Sequence, residues 1–196
     1  MTEVALIRHG PTEWNEIGRV QGRSDPSLSE AGRAEVARWT VPKRIATFDW
    51  TTSPLRRAVE TAELLGRPEA RPEPRLVEMH WGEWEGATLA ELRTRYGDEM
   101  IENEARGLDF RAPAGESPRE VQARVRSWLA DVAARGRPTV AVSHKGVIRA
   151  MLALATGWDM TTEPPAPIEW AACHVFAVDG VGQPRIVRLN VGLGGR

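Results

Sequence analysis

Chemically capable side chains stand directly behind short apolar runs of the chain. The first run leads into Arg8, His9 and Gly10, and a later one leads into His144. Arginine carries a planar, permanently charged fork that matches phosphate oxygens, whereas neutral histidine offers a nucleophilic nitrogen near neutral pH. Glycine lets the backbone turn tightly and leaves room for a ligand. These residue types favour chemistry on a phosphorylated compound.

The elements that would position these side chains alternate between strand and helix patterns. Short apolar runs predict strands at residues 4–7, 48–53, 139–143, 171–178 and 185–189. Helix starts are predicted at Ser29, Pro54, Ala87, Pro118 and just after Gly146, with ends near Trp39, Arg95, Arg135 and Ala155. The last two strands are predicted to form a hairpin across Asp179 and Gly180. This alternation predicts a three-layer α/β/α sandwich around a mostly parallel sheet.

A parallel sheet would bring residues that are far apart in sequence to one site, because the carboxyl ends of its strands share an edge where ligands bind. Arg8 and His9 follow one predicted strand, and His144 follows another. Arg57 lies in a helix that begins behind a third strand, and an acidic stretch around Glu78 is the fourth segment. Two arginines and two histidines on one edge would form a pocket for a dianion, and phosphate suits that chemistry best.

The composition argues against several classes of protein. The 196 residues carry 26 lysines and arginines against 27 acids, so neither a nucleic-acid nor a membrane-binding surface is expected. No stretch approaches a transmembrane helix in length, and Arg8 and His9 interrupt the first apolar run, so no secretory signal is expected. The single cysteine, Cys173, rules out an intramolecular disulfide and favours a buried thiol. We therefore expect a cytoplasmic protein.

The length fits one domain over residues 1–196. Within it, the stretch 97–117 is polar, charged and irregular, and with the preceding helix pattern it predicts a small lid or cap at about 87–117. From Ala87 to Ala114, six acids outnumber four arginines; they are Glu91, Asp98, Glu99, Glu102, Glu104 and Asp109 against Arg93, Arg95, Arg106 and Arg111. Such a charge balance makes a poor cradle for a second phosphate.

Short motifs over most of the chain resemble those of the histidine phosphatase superfamily, also called the phosphoglycerate mutase-like family. They are Arg8-His9-Gly10 with Thr12, Trp14 and Asn15; Gly18 to Gly22; Leu28 to Gly32; Ser53-Pro54-Leu55 with Arg57, Ala58, Thr61 and Ala62; Leu76 with Glu78; Gly82 to Gly86; Gly115 to Ser117; and Val142-Ser143-His144 with Gly146. Their order is that of the family, although Pro11 stands where glutamate is common. The resemblance implies the phosphoglycerate mutase-like fold.

The resemblance also implies a role for each pocket residue. His9 would be the nucleophile that becomes a phosphohistidine, and Glu78 would be the general acid that protonates the leaving group. The residues that would hold the phosphate oxygens are Arg8, Asn15, Arg57 and His144. Candidates for lining the substrate are Gln21, Gly22 and Trp81. Because cationic side chains supply the positive charge, neither a metal nor another cofactor is implied.

Several assignments stay open on the residues alone. Arg56 and Arg57 are adjacent, so only one can face the pocket, and the family register selects Arg57. Glu78 competes with Glu73, Glu83 and Glu85 for the acid role, and either Glu83 or Glu85 is expected to anchor the turn from 82 to 86. The residues that suit structural, packing or surface roles are Trp81, Trp84, His80 and His174. A zinc site would need a third ligand beside His9 and His144, and no residue has a suitable spacing.

Three functions fit this pattern. A metal-independent phosphomonoesterase that hydrolyses small phosphorylated metabolites through a phosphohistidine is favoured. A phosphoglycerate mutase-type phosphotransferase is the alternative, because it shares the core motifs, but family mutases are usually longer. A non-catalytic phospho-ligand or protein-binding module would be expected to lack a pocket residue, whereas Arg8, His9 and Arg57 are all present. Sugar phosphates, phosphoamino acids, nucleotide-derived esters and α-ribazole phosphate all remain compatible substrates, and a homodimer stays open beside a monomer.

Overall fold

A computed structural model describes residues 1–195, which contain a six-stranded sheet with helices on both faces. The strands are β1 (Thr2–Arg8), β2 (Trp39–Thr40), β3 (Asp49–Thr52), β4 (Arg71–Pro72), β5 (Thr139–Ser143), β6 (Ala172–Val178), β7 (Pro184–Gly192) and β8 (Gly194–Gly195). The α-helices are α1 (Glu13–Glu16), α2 (Glu30–Val36), α3 (Lys43–Ala46), α4 (Arg56–Leu64), α5 (Leu89–Tyr96), α6 (Asp98–Glu104), α7 (Pro118–Arg135) and α8 (Lys145–Thr156). Short 3₁₀ turns lie at Pro74–Leu76, Gly82–Trp84 and Gly107–Asp109.

The main sheet is mixed and has the strand order β4-β3-β5-β1-β6-β7. The first four of these strands run parallel to one another, whereas β6 is antiparallel to both β1 and β7. Strands β2 and β8 pair with each other outside this sheet. The parallel half therefore brings the carboxyl ends of β1, β3 and β5 to one edge, as the sequence predicts.

Successive residues of β1 face two different cores because side chains alternate along a strand. Val4 and Leu6 pack into a cluster that also contains the apolar faces of α7 and α8. Ala5 and Ile7 pack into a second cluster with residues of α3 and α4 on the opposite face of the sheet. The predicted three-layer sandwich is confirmed, and Cys173 is buried in the second cluster. Among residues 1–195, no helix is both long and apolar enough to cross a membrane.

Most predicted elements are confirmed, but three local predictions were wrong. Ser29 caps α2 as expected, yet the helix ends at Val36 rather than near Trp39, which belongs to the short strand β2. The next helix is predicted to start at Pro54, but α4 begins two residues later, at Arg56. The stretch 97–117 is not wholly irregular, because it contains α6 and a 3₁₀ turn. Two apolar side chains of this stretch, Met100 and Ala112, pack with Leu92 of α5 against Trp84. This cluster gives the short elements a core of their own.

Close packing between α2 and the chain behind β1 positions the His9 segment. A methyl group on Gly32 would overlap the carbonyl oxygen of Pro11, and one on Gly10 would overlap a methyl group of Val36. Both glycines therefore let the helix and the loop approach each other without a side chain between them. The close contact between α2 and this loop therefore fixes the path of the backbone after His9.

Gly32→Ala should destabilise the protein even though alanine suits a helix better than glycine. The added methyl group meets a main-chain oxygen, so the helix or the loop must move, at a cost of about 1–3 kcal/mol in the free energy of unfolding. Urea unfolding followed by circular dichroism measures this cost. Gly192→Ala is the control, because a methyl group there would meet no atom within 4 Å. Equal unfolding midpoints for the two variants would contradict the packing argument.

Candidate active site

The main chain holds the imidazole of His9 in one tautomer. Its Nδ1 lies 2.7 Å from the carbonyl oxygen of Gly10. Because a carbonyl oxygen only accepts, Nδ1 carries the proton and Nε2 keeps its lone pair. Burial, together with the positive charges of Arg8 and Arg57, holds the pKa of His9 well below its usual range. The ring is therefore neutral at pH 7 and has a free nucleophilic nitrogen.

His144 lies beside His9 as a second buried imidazole, with the two ring centroids 5.1 Å apart. Its Nε2 lies 2.7 Å from the Oγ of Ser53, a hydroxyl that also accepts the N–H of Leu55 at 3.3 Å. Within residues 1–195, the ring is the acceptor available to the hydroxyl proton, so Ser53 donates to Nε2 and Nδ1 of His144 is protonated. That buried N–H has no partner in the described part of the chain. It can donate to an anion.

The charge of His144 is set by its surroundings in the same way. Burial first, and the nearby charge of Arg57 second, hold its pKa well below the usual value. Neutral His144 therefore contributes a hydrogen-bond donor rather than a positive charge.

Arg57 is held by main-chain oxygens. Its side chain is fully buried, and its two terminal nitrogens donate to the carbonyl oxygens of Gly22 and Ser24, each at 2.8 Å. Asp25 lies at the limit of ion pairing, 3.9 Å away. Burial lowers the pKa of Arg57 from its usual value, but a guanidinium stays protonated in proteins. Most of its positive charge is therefore available to a bound anion.

Glu85 organises the loop 22–24, which supplies those two carbonyl oxygens. Its carboxylate accepts the N–H groups of Arg23 and Ser24, both at 2.8 Å, and the hydroxyl of Ser24 at 2.7 Å. It also accepts the N–H of Trp81 at 3.2 Å. Burial alone would raise the pKa of Glu85, but these hydrogen bonds outweigh it and leave the pKa lowered. A negatively charged Glu85 thus joins the loop to the turn around Trp81.

Arg8, at the end of β1, adds a second guanidinium to the same edge of the sheet. Its guanidinium carbon lies 5.6 Å from the centre of the Trp170 ring, a cation–π distance. Desolvation lowers its pKa from the usual value. Within residues 1–195 no carboxylate forms an ion pair with Arg8, and its buried Nε has no hydrogen-bond partner.

Glu78 rests on the first turn of α8. Its Oε1 accepts the N–H of Met79 at 2.8 Å, and its two oxygens accept the N–H of Gly146 at 3.1 and 3.2 Å. A methyl group on Gly146 would overlap the carboxylate, so glycine at this position makes the contact possible. The carboxylate is thereby held against the first turn of α8 while remaining partly exposed.

A cavity of about 680 Å³ joins these side chains. The predicted site residues that line it are Arg8, His9, Asn15, Gln21, Gly22, Arg57, Glu78 and Trp81. His144 does not line it and lies fully buried beside His9. The predicted lid stretch contributes Leu89, Arg93, Glu104, Gly107 and Phe110 to the wall.

Asn15, predicted to hold phosphate, and two of the predicted lining residues, Gln21 and Trp81, differ in what they present to this cavity. Asn15 uses its Oδ1 to accept the N–H and hydroxyl of Thr12, at 3.2 and 3.1 Å, which leaves its Nδ2 to donate. The Oε1 of Gln21 is buried and has no partner within residues 1–195. Trp81 packs edge-on against Phe110, with ring centres 5.3 Å apart. Trp81 therefore both lines the cavity and packs against a neighbouring ring.

The geometry distinguishes the members of two pairs that the sequence left open. Arg57 is buried against the cavity whereas Arg56 is exposed. Glu85, rather than the exposed Glu83, makes the hydrogen bonds at the 82–86 turn. Among residues 1–195, no three His, Cys, Asp or Glu side chains are grouped to hold a metal ion.

Sequence reasoning missed several residues that matter to the geometry. Thr61, quoted only as part of a motif, accepts the N–H of Gly10 at 3.0 Å and donates to the carbonyl oxygen of Arg57 at 2.7 Å. Lys145 and Arg149 also line the cavity. Their spacing of four residues directly behind His144 places both on one helix face, and that spacing was a usable signal.

Comparisons with known proteins agree with the family resemblance of the sequence. The family model described as histidine phosphatase superfamily (branch 1) matches residues 4–192. The chain belongs to this superfamily, and its relatives include both phosphatases and mutases.

Three similar proteins illustrate this range. Phosphoserine phosphatase 1 of Hydrogenobacter thermophilus is 32% identical over 170 residues, covering 82% of this chain and 79% of that protein. A 2,3-bisphosphoglycerate-dependent phosphoglycerate mutase 2 of Gloeobacter violaceus is 30% identical over 167 residues, covering 78% and 74%. A mycobacterial glucosyl-3-phosphoglycerate phosphatase, solved in complex with VO3, superimposes with a TM-score of 0.76 at 28% identity and complete coverage of both chains. The predicted phosphoglycerate mutase-like fold is confirmed.

Glu85→Ala should weaken phosphate binding without unfolding the protein. Loss of the carboxylate releases the loop 22–24, and the carbonyl oxygens that orient Arg57 lose their fixed positions. Because misplacing a charged contact by about 1 Å is costly, we expect the Kd for inorganic phosphate to rise about 10-fold or more. Titration calorimetry measures it.

The matched control is Glu83→Ala, which removes the exposed neighbouring carboxylate. Glu85→Gln should restore part of the affinity, since one acceptor oxygen remains. If Glu85→Ala and Glu83→Ala bound phosphate equally well, Glu85 would have no part in positioning Arg57.

Proposed function

We propose that the protein is a cytoplasmic, metal-independent phosphomonoesterase that hydrolyses a small phosphorylated metabolite through a phosphohistidine. The observation that carries the proposal is the fixed tautomer of His9, whose protonated Nδ1 faces the carbonyl oxygen of Gly10 and whose Nε2 is free. Two guanidinium groups, Arg8 and Arg57, accompany it at the same cavity. This combination places a neutral nucleophile beside fixed positive charge.

In this proposal the phosphate is bound before any bond changes. At the cavity wall, Arg8 and Arg57 supply charge and the Nδ2 of Asn15 supplies a hydrogen bond. The unpartnered Nδ1–H of His144, which is buried beside His9 and does not line the cavity, would reach the phosphate only from behind His9. A phosphoryl group in transfer spreads charge over three equatorial oxygens, and donors fixed in advance stabilise it without reorganisation. Removing one such donor costs on the order of 10²–10³ in rate.

The first chemical step forms a phosphohistidine. Nε2 of His9 attacks phosphorus, and the bond from phosphorus to the ester oxygen breaks. Glu78, which must enter this step protonated, gives its proton to the departing alkoxide. Its position against the N–H of Gly146 supports this assignment, because the carboxyl group is held at the cavity wall. The lid stretch 87–117 would limit access of water during this step.

The second step releases phosphate. Glu78, now a carboxylate, takes a proton from water, the water oxygen attacks phosphorus, and the bond between phosphorus and Nε2 breaks. Products are inorganic phosphate and the alcohol, and His9 returns to its neutral form. A mutase would share the first step and pass the phosphoryl group to a second hydroxyl instead. In the lid stretch, the cavity-lining Arg93 is paired with Glu104 at 2.7 Å. Its charge is therefore already engaged and is a poor partner for a second phosphate, which favours hydrolysis over a mutase reaction.

A covalent intermediate should be trapped on His9. With a ³²P-labelled ester and a rapid quench in alkaline denaturant, the wild-type protein should carry label that survives alkali and is lost in acid. His9→Ala should carry none and should lose at least about 10³-fold in kcat. His80→Ala is the control, because His80 does not line the cavity.

The same preparation separates the competing functions. Hydrolysis that continues in EDTA supports a metal-independent reaction, and inhibition by EDTA argues against it. Isomerisation of 3-phosphoglycerate that depends on added bisphosphate, at a rate above phosphate release, would show a mutase. Absence of label at every time point would exclude His9 as the nucleophile.

Glu78→Gln should discriminate between leaving groups. The variant cannot donate a proton, so kcat should fall about 10²–10³-fold for alkyl phosphates, whose alkoxides need protonation, and far less for p-nitrophenyl phosphate. Steady-state kinetics on both substrates gives the ratio. Glu83→Gln, at an exposed carboxylate, should leave the ratio unchanged. Equal losses on the two substrates would assign the acid role to another group.

A further inference from the structure

A cavity of about 540 Å³ lies beside the edge strand β4, apart from the candidate active site. Asp49 and Thr139, the first residues of β3 and β5, lie in its wall, whereas His144 follows the last residue of β5. Among residues 1–195, it shares no lining residue with the cavity of the candidate active site. Its volume is usual for a small-molecule site, about 300–1,000 Å³. We call it the edge cavity.

Arginines outnumber carboxylates in the wall of the edge cavity. The wall contains four arginines and three acids, which are Arg67, Arg71, Arg135 and Arg137 with Asp49, Glu69 and Glu73. Asp49 accepts a hydrogen bond from Arg137 at 3.0 Å. Glu73 accepts one at 2.7 Å from Arg75, a residue outside the wall. Hydrogen bonding by Arg75 is the main reason why the pKa of Glu73 is lowered, and the charge of Arg135 contributes less. Two of the three carboxylates are therefore already paired.

The remaining arginines keep their positive charge free. Within residues 1–195, Arg67, Arg71 and Arg135 form no ion pair with a carboxylate. Arg67 donates to the carbonyl oxygen of Ala46 at 2.7 Å, and a carbonyl is a dipole that leaves the net charge in place. Glu69 is exposed and is also unpaired in the described part of the chain. Three free cations against one free carboxylate give the edge cavity a positive potential.

Buried donors without acceptors form a second, independent feature of the same wall. Trp50 is 8% exposed, and its indole N–H is buried without a hydrogen-bond partner in residues 1–195. The guanidinium carbon of Arg67 lies 5.2 Å from the centre of the Trp50 ring, a cation–π distance. The buried Nε of Arg67 has no partner either. Such donors are rare in folded proteins and call for an acceptor such as a bound anion.

We propose that the edge cavity is a second, non-catalytic binding site for a small molecule that carries a diphosphate or triphosphate group. The planar guanidinium fork matches phosphate oxygens and binds them by charge-assisted hydrogen bonds. Arg67 follows α4, Arg71 lies in β4 and Arg135 ends α7. Because the three free arginines come from three elements, linked phosphates suit them better than one compact anion. This inference is independent of the proposed function.

Inorganic pyrophosphate is the probe, and NMR of ¹⁵N-labelled full-length protein gives a local measurement. The indole N–H signals of Trp50 and Trp81 are assigned by their loss in Trp50→Phe and Trp81→Phe. At constant ionic strength, the Trp50 signal should shift saturably with a Kd of about 0.1–1 mM, the strength of two or three hydrogen bonds to charged groups. Inorganic phosphate should bind there at least about 10-fold more weakly. Trp81 lines the cavity of the candidate active site, so its signal reports binding at that site separately.

Variants connect the shift to the arginines. In Arg71→Ala and Arg135→Ala the Kd measured from the Trp50 signal should rise about 5- to 10-fold. Arg126→Ala is the matched control, because it removes an exposed arginine of α7 that does not line the edge cavity. Misfolding could also weaken binding, so Glu69→Gln supplies a change of opposite sign. Removal of this free carboxylate should lower the Kd about 2- to 3-fold.

Four results would overturn the edge site. They are a Trp50 signal that does not shift at about ten times the expected Kd, a shift that sodium chloride of equal ionic strength reproduces, a Kd that Arg71→Ala and Arg135→Ala leave unchanged, and equal affinity for phosphate and pyrophosphate. A Trp50 shift that has the same Kd as the Trp81 shift in every variant would instead come from binding at the candidate active site, and would also overturn it. Each result stands whether or not the protein hydrolyses a phosphate ester, so failure of this inference leaves the proposed function intact.

Discussion

A permanently charged guanidinium without access to solvent is the constraint around which this site is built. Arg57 cannot lose its proton as a buried lysine or histidine can, and moving its charge out of water is expensive unless other groups replace the solvent. Carbonyl oxygens of the loop 22–24 provide that replacement. They are dipoles, so they make burial tolerable and leave the net charge in place. The loop and the carboxylate of Glu85 beneath it maintain this arrangement, and the charge of Arg57 adds to the effect of burial in keeping both histidines neutral.

Several buried donors of the site also have no hydrogen-bond partner in the described part of the chain. The Nε of Arg8, the Nε of Arg57 and the Nδ1 of His144 all belong to this group. Unsatisfied buried donors are rare, because each costs free energy that the rest of the fold must offset. Here they converge on one edge of the sheet, where an anion would satisfy several of them at once.

The sequence predicted what depends on pattern and missed what depends on tertiary contact. Strand ends at Arg8 and Ser143 followed from apolar runs, and the sheet edge followed from strand-helix alternation. Selecting Arg57 over Arg56 required the family register. Glu85 looked like an anchor for its own turn, whereas most of its hydrogen bonds reach residues more than sixty positions away. No local rule encodes such a contact. The contacts of Trp158 with Arg149 and of Trp170 with Lys145 could not be predicted either, because these residues meet only after α8 packs on the sheet.

The central position of β1 has a consequence for how the protein acquires its site during synthesis. This strand is synthesised well before its neighbours in the sheet, β5 and β6, which begin at Thr139 and Ala172. His9 is therefore attached to an unpaired and very apolar strand until β5 and β6 have been made. Contacts of such long sequence separation are slow to form and leave the segment open to aggregation meanwhile. The surroundings of His9 are thus assembled late, and a nascent chain that stops short of β6 carries Arg8, His9 and Gly10 without the fold that positions them.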